Sequence, residues 1–351
     1  MMSHTYDARL QRAIAGITAR YQAAGYFPSA CVRVFNRDET LAVACVGEAR
    51  EDSLFDVASL TKIATATQIF HLISAGKLSL HEAAADALPA LGQDAYLARR
   101  FQGIELYHLL THTSTLVDWY PFYSRRGEDF FTALKYALTH TEPTRGVVYS
   151  DLNFMLLGKI IERAQGKALD VCLREDLVEP LSLGNMTYLP DKSLPIIPSC
   201  YGNPIEMGMC AERGIAFDGF RPLGQPVLGD ANDGNCWYYF HGVSGLAGIF
   251  ADTLAYQRLC QYYMNAASPL LIEAQKEQPG APGRGIGFQT GVSYPHGCGH
   301  TGFTGTAIYF SREHNVGVVS FTNRLFYPQK NENATGDFRR ALHETAFALL
   351  Q

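Results

Sequence analysis

Runs suited to β-strands crowd the two ends of this chain and leave its middle nearly free of them. "ACVRVF" (30–35) and "TLAVACV" (40–46) alternate or run apolar and are joined by the turn Asn36-Arg37-Asp38-Glu39, which predicts a hairpin. Strand-like runs return only in the last third: "GIGFQTG" (285–291), "GTAIYF" (305–310) and "VGVVSFT" (316–322), with "SREHN" (311–315) as a turn. Helical spacing fills the rest. Leu10, Ile14, Ile17 and Tyr21 share one face near the start, and Phe338, Leu342, Ala346 and Leu349 share one over 335–350. An apolar helix is expected over 60–75, stopped by Gly76, and another over 152–164, ending near Gly166. The stretch 185–236, rich in Pro, Gly and Asn, reads as irregular structure over a site. The economical fold is α+β: one antiparallel sheet built from both chain ends and flanked by the terminal helices, beside a mostly helical lobe. Residues 1–76 and 237–351 then form the sheet lobe and 77–236 the helical lobe, with a cleft between them.

Composition narrows the function. The chain has 351 residues, 47% apolar and 18% charged, enough for one large domain or two closely joined ones. Its net charge is −5 and no Lys/Arg run stands out, so nucleic acid is not an expected partner. No apolar run is long enough to span a bilayer, and the start lacks the basic-then-apolar order of a signal peptide. Eight scattered cysteines without a C-x-x-C point to free thiols in a reducing, cytoplasmic setting. His108 and His112 are spaced i, i+4, but no Glu follows His108, so neither a metal nor any other cofactor is expected. Oligomeric state has no sequence signal here.

One short stretch carries chemistry. "FDVASLTKIATATQIF" (55–70) sets Ser59 three residues before Lys62, where the apolar helix begins. Residues three apart share a helix face, so the amine can reach the hydroxyl. Unpaired N–H groups of the first turn can help hold an oxyanion. Alone, the pair reads equally well as an N-cap serine and a nearby lysine, and Ser74-Ala75-Gly76-Lys77 repeats the spacing at a helix end with only a structural reading. Two further stretches favour catalysis. "GVVYSDLNF" (146–154) places Tyr149 before a helix, and "GCGHTGFTGTAIYF" (297–310) runs His300-Thr301-Gly302 into a strand.

The order Ser-x-x-Lys, Tyr-Ser-x, x-Thr-Gly resembles the serine β-lactamase and penicillin-binding-protein superfamily. "LLTHTSTL" (109–116) and "GDANDGNCWYYFHGVSGLAGIF" (229–250) are similar to segments of its class C-like branch of esterases, β-lactamases and D-amino-acid peptidases. The resemblance runs from about residue 30 to 325. It implies a β-lactamase/transpeptidase-like fold and hydrolysis of a small ester, amide or peptide through an acyl-enzyme. It implies Ser59 as nucleophile, Lys62 as base or proton-network partner, and Tyr149 as second proton carrier. It also implies His300, Thr301 and Gly302 as the substrate-facing strand edge, with the Phe303 N–H joining that of Ser59 in the oxyanion hole. "LLTHTS" becomes a buttress of the cleft.

Two departures matter. Asp151 stands where the branch often has Asn, at the substrate-binding position after Tyr149, and an anion there favours a charged Lys62. His300 stands where Lys often begins the third triplet, and a neutral imidazole attracts a substrate carboxylate less. An ester or neutral amide therefore fits as well as a β-lactam or a peptide C-terminus. Ser150-Asp151 allows Ser150 as an alternative proton carrier, and the same departures allow a catalytically silent scaffold that binds a ligand or partner. Trp119, Tyr120, Phe122 and Tyr123 read either as core or as an apolar wall of the site for an acyl or leaving group, and the wall is favoured. "GCGHTG" also matches Gly-x-Gly-x-x-Gly, but it runs into a strand rather than a helix, against a dinucleotide site. No Gly-x-Ser-x-Gly elbow is present.

Overall fold

A computed structural model describes residues 7–326 and 333–351. The strands are β1 (Ala30–Phe35), β2 (Thr40–Val46), β3 (Phe55–Asp56), β4 (Met186–Tyr188), β5 (Ile249–Ala251), β6 (Cys298–Thr301), β7 (Ala307–Ser311) and β8 (Val316–Thr322). Five of them form one antiparallel sheet in the order β2-β1-β8-β7-β6. The first and last strand-rich regions meet at β1 and β8, where Ala30 opposes Thr322 and Phe35 opposes Gly317.

Both faces of this sheet are covered, which is why β1 and β8 are buried throughout rather than alternating. On one face Val32, Val34, Tyr309 and Val318 pack under the helices Ala8–Ala23 and Asn333–Leu350, against Leu10, Ile14, Phe338 and Leu342. On the other, Cys31, Phe35, Val319 and Phe321 join a larger core with the helices Thr61–Ser74, Asp151–Gln165 and Thr253–Met264. The Asp151–Gln165 helix ends as its sequence demands: Gly166 adopts φ 66°, and its N–H returns to the Glu162 carbonyl. A second sheet, β3-β5-β4, links the strand before Ser59 to the middle of the chain. Among the described residues no helix is long and apolar enough to cross a membrane.

Three sequence expectations fail. Residues 285–291 are not a strand. Gly287 and Gly291 take φ 80° and 101°, and the Gly285 N–H turns back to the Phe288 carbonyl, so the chain makes a turn that bridges the sheet only at Gln289–Gly299. The stretch 185–236 is not wholly irregular: it contains β4 and the helix Pro204–Glu212, which starts with proline at its first position. Trp119, Tyr120, Phe122 and Tyr123 do not wall an open site. All four are buried, and Asn235 fixes the segment by accepting from the Phe122 N–H and donating to the Tyr120 carbonyl.

Candidate active site

Ser59 lies in a short 3-10 turn, Ala58–Leu60, that feeds the Thr61–Ser74 helix. Ala58 has φ 47°, a left-handed conformation rare for a residue with a side chain. Asp56 holds it there: one carboxylate oxygen accepts the Ala58 N–H at 2.8 Å and the other the Asn232 N–H at 2.6 Å. Burial drives the Asp56 pKa up to about 6, although both N–H groups pull the other way. The β6–β7 connection docks on the same segment. Thr304 and Thr306 donate to the Asp56 and Val57 carbonyls at 2.7 and 2.9 Å. A Cβ on Gly302 would meet the Val57 carbonyl at 2.5 Å, so only glycine lets the two segments approach.

Lys62 is fully buried, and its ammonium makes two hydrogen bonds and one ion pair. It donates to Ser59 Oγ at 2.9 Å and to the Leu246 carbonyl at 2.9 Å, and it pairs with Asp151 Oδ1 at 2.9 Å. Burial alone would lower its pKa, but the Asp151 anion, followed by Tyr149, outweighs burial and holds Lys62 above the usual lysine range. The Leu246 carbonyl is brought in by a close approach of backbones. A Cβ on Gly245 would lie 2.3 Å from the Phe154 carbonyl, and the Gly245 carbonyl accepts Thr65 Oγ1 at 2.8 Å.

The Tyr149 side chain lies beside Lys62, whose Nζ is 5.1 Å from its ring centroid, and Ser59 and Lys62 both act electrostatically on its phenol. Burial raises the Tyr149 pKa despite the Lys62 charge, so the group is a neutral phenol at neutral pH. Its ring packs 4.6 Å from that of His112 and 5.9 Å from that of His300. His112 is buried and uncharged, with Nδ1 accepting the Ser150 N–H at 3.0 Å and facing Asn153 Nδ2 at 3.1 Å. Through His112, "LLTHTS" packs against the Tyr149 ring and the start of the Asp151–Gln165 helix. His108 Nδ1 instead accepts the Glu105 N–H in a helix cap, so the two histidines serve separate backbone groups. The Ser150 hydroxyl donates to the Val117 carbonyl at 2.6 Å, away from the role of alternative proton carrier.

His300 and Thr301 lie on β6, the edge strand of the large sheet, with Gly302 and the partly exposed Phe303 following. Burial, then the charges of Lys62 and Arg284, depress His300 to about 3, so it is neutral, with Nδ1 bonded to the Thr301 carbonyl at 2.8 Å. Asp151 sits against Lys62 rather than beside that edge. One group went unread in the sequence. The Arg284 guanidinium carbon lies 5.2 Å from the Tyr149 ring centroid, and its Nη1 has no hydrogen-bond partner among the described residues. Arg284 belongs to no motif, and it precedes a segment misread as a strand. Lys77 of the second Ser-x-x-Lys binds Gln165 at the surface.

Comparison with known proteins agrees with this fold. The Beta-lactamase family model matches residues 14–342. The chain is 29% identical over 317 residues to an N-acetylmuramyl-L-alanine amidase of Bacillus subtilis, covering 80% of this chain and 71% of the relative. It is 23% identical over 316 residues to a putative D-alanyl-D-alanine carboxypeptidase of Salmonella typhi, covering 81% and 72%. The fold matches that of a β-lactamase from Sulfitobacter sp. EE-36 with a TM-score of 0.70 at 16% identity, over 97% of this chain and 98% of the other. With a family match spanning nearly the whole chain, the protein belongs to the Beta-lactamase family and is a serine hydrolase.

Proposed function

We propose that Ser59 is the acyl-accepting nucleophile and that Tyr149, not Lys62, relays its proton. The observation that carries this reading is the Lys62 ammonium donating to Ser59 Oγ at 2.9 Å while paired with Asp151. A lysine already donating to the serine oxygen and held charged has no lone pair to accept the serine proton. The phenol can take that proton while passing its own to the leaving group, so it never carries a full negative charge. Lys62 then stabilises the charge developing on Ser59 Oγ, and Asp151 keeps Lys62 charged. The N–H groups of Ser59 and Phe303 take the oxyanion. The resulting ester on Ser59 is hydrolysed when Tyr149 accepts a proton from water and returns one to Ser59.

The substrate reading follows from charge. His300 is neutral, so it does not replace the usual lysine as an anion site. Arg284, beside Tyr149, offers a guanidinium for a carboxylate. We therefore favour a peptide-like amide ending in a free carboxylate, as the named activity of the carboxypeptidase relative suggests. The cleft would lie between the lobes 1–76 plus 237–351 and 77–236, and the eight free cysteines support a reducing, cytoplasmic setting.

Ser59→Ala is expected to abolish hydrolysis of p-nitrophenyl esters and D-alanyl peptides while leaving the fold unchanged by circular dichroism. A phosphonate ester should add to Ser59 by intact mass. Turnover in Ser59→Ala, or failure of every acylating probe to label Ser59, would end this assignment.

A further inference from the structure

Outside the site, Cys31 on β1 and Cys45 on β2 are register partners in an antiparallel pair, and their sulfur atoms are 3.1 Å apart. We infer that Cys31 and Cys45 form a reversible cross-strand disulfide, a redox staple between the edge strand β2 and the rest of the sheet. Residues directly opposed in such a pair hold their Cα atoms about 4.5–5.5 Å apart. That lies within the span of about 4.4–6.8 Å a disulfide bridges. Small side-chain rotations therefore close the bond without moving the strands.

The two thiols differ in the way an exchange reaction requires. Cys31 is buried and touches Thr253 Oγ1, whereas Cys45 is partly open to solvent on the outermost strand. Contact with Cys31 lowers the Cys45 pKa, although burial and the Glu51 charge oppose this; contact with Cys45, then burial, raises that of Cys31. Cys45 is thus the attacking thiol and Cys31 the resolving one. The oxidant is a low-molecular-weight disulfide. The Cys45 thiolate attacks one of its sulfurs, forms a mixed disulfide and releases one small thiolate. The Cys31 thiolate then attacks Cys45 Sγ and displaces the second. The two protons given up by the cysteines go to the two leaving thiolates. Two protein thiols are oxidised by two electrons, and one external disulfide is reduced to two thiols. The bond would close a loop with a sequence separation of 14 residues and add a covalent link to β2, which is also held by its ladder to β1, by the Gln11 side chain on the Val43 backbone, by the Asp7 N–H on the Leu41 carbonyl and by Thr40 Oγ1 on Gln257. It does not depend on the catalytic reading.

The test uses the full-length reduced protein and oxidised glutathione at pH 8, followed by intact mass, non-reduced peptide mapping and thermal melting. The expected result is loss of two hydrogen atoms, a Cys31–Cys45 linked peptide, a higher Tm than the reduced form, and reversal by dithiothreitol. Cys31→Ser should trap Cys45 as a stable glutathione adduct, and Cys45→Ser should take up no glutathione at Cys31. Should Cys31→Ser not fold, the wild-type map and Cys45→Ser suffice. Free thiols at both positions, a lasting glutathione adduct on wild-type Cys45, or linkage to another cysteine would overturn the proposal. Linkage without a rise in Tm would overturn the stapling role.

Discussion

Lys62 Nζ stands 2.9 Å from Ser59 Oγ and 2.9 Å from Asp151 Oδ1, so one buried cation joins the nucleophile to a carboxylate. That relation separates an electrostatic role for Lys62 from a basic one, and its consequences can be measured.

Asp151→Asn removes the anion that outweighs burial at Lys62. The Lys62 pKa, now raised, should fall. If Lys62 acts as a cation, the basic limb of the kcat/KM profile should move to lower pH, with activity near neutrality reduced about tenfold or more. An unchanged profile would show that the pair does not govern acylation.

Tyr149→Phe keeps the ring against His112 but removes the hydroxyl. Acylation should slow by about 10²–10⁴-fold with little change in stability. His112→Ala should act on kcat through Tyr149, because it frees the ring and leaves the Ser150 N–H without its acceptor. The companion readout is His112→Asn: rescue of stability without kcat would mean that ring packing, rather than the hydrogen bond, positions Tyr149.

Arg284→Met should raise KM for a peptide with a free C-terminal carboxylate by about tenfold or more, and leave its C-terminal amide and a neutral p-nitrophenyl ester little affected. An equal effect on the acid and the amide would remove Arg284 from substrate recognition without touching the roles of Ser59 or Tyr149.

Gly245→Ala places a Cβ 2.3 Å from the Phe154 carbonyl and shifts the loop that carries the Leu246 carbonyl. It should destabilise the protein by about 1–3 kcal/mol and lower kcat together. Urea unfolding and ester turnover on the same variant check both.

His343 is buried, with Nδ1 bonded to the Ser293 carbonyl and its ring stacked on Tyr309, and burial followed by Arg339 lowers its pKa to about 4. The unfolded chain, near the ordinary value of 6.5, binds more protons between these two values. Stability from this group is therefore complete above about pH 6.5 and drains away as pH falls toward 4, by on the order of 3 kcal/mol. His300 acts in the same sense. Urea unfolding from pH 7 to 4 should show the decline. His343→Phe, which keeps the stack on Tyr309, should flatten it, and an equally steep decline in that variant would shift the cause elsewhere.

Particular residues show how far the chain could be read directly. β1, β2 and β8 are legible because apolar runs of that length between turn residues have few other outcomes, and the order of Ser59, Lys62 and Tyr149 singles out three side chains that the fold brings together. Gly285–Gly291 misled because alternation does not report φ, and the positive values at Gly287 and Gly291 break the strand. The aromatic segment 119–123 misled because its burial depends on Asn235, more than a hundred residues away. The Leu246 carbonyl that steadies Lys62 is a backbone atom and has no signature. Arg284 becomes meaningful only once the fold sets it beside Tyr149.

The pairing of β1 with β8 also governs the order of assembly. During synthesis the early hairpin emerges with one flank of hydrogen-bonding groups unmatched, and its partner is not yet translated. The serine likewise waits for the Thr304 and Thr306 hydroxyls that brace its turn. Nascent chains halted before β8 should thus be both sticky and inert, and catalytic competence should arrive late, in a single concerted closure.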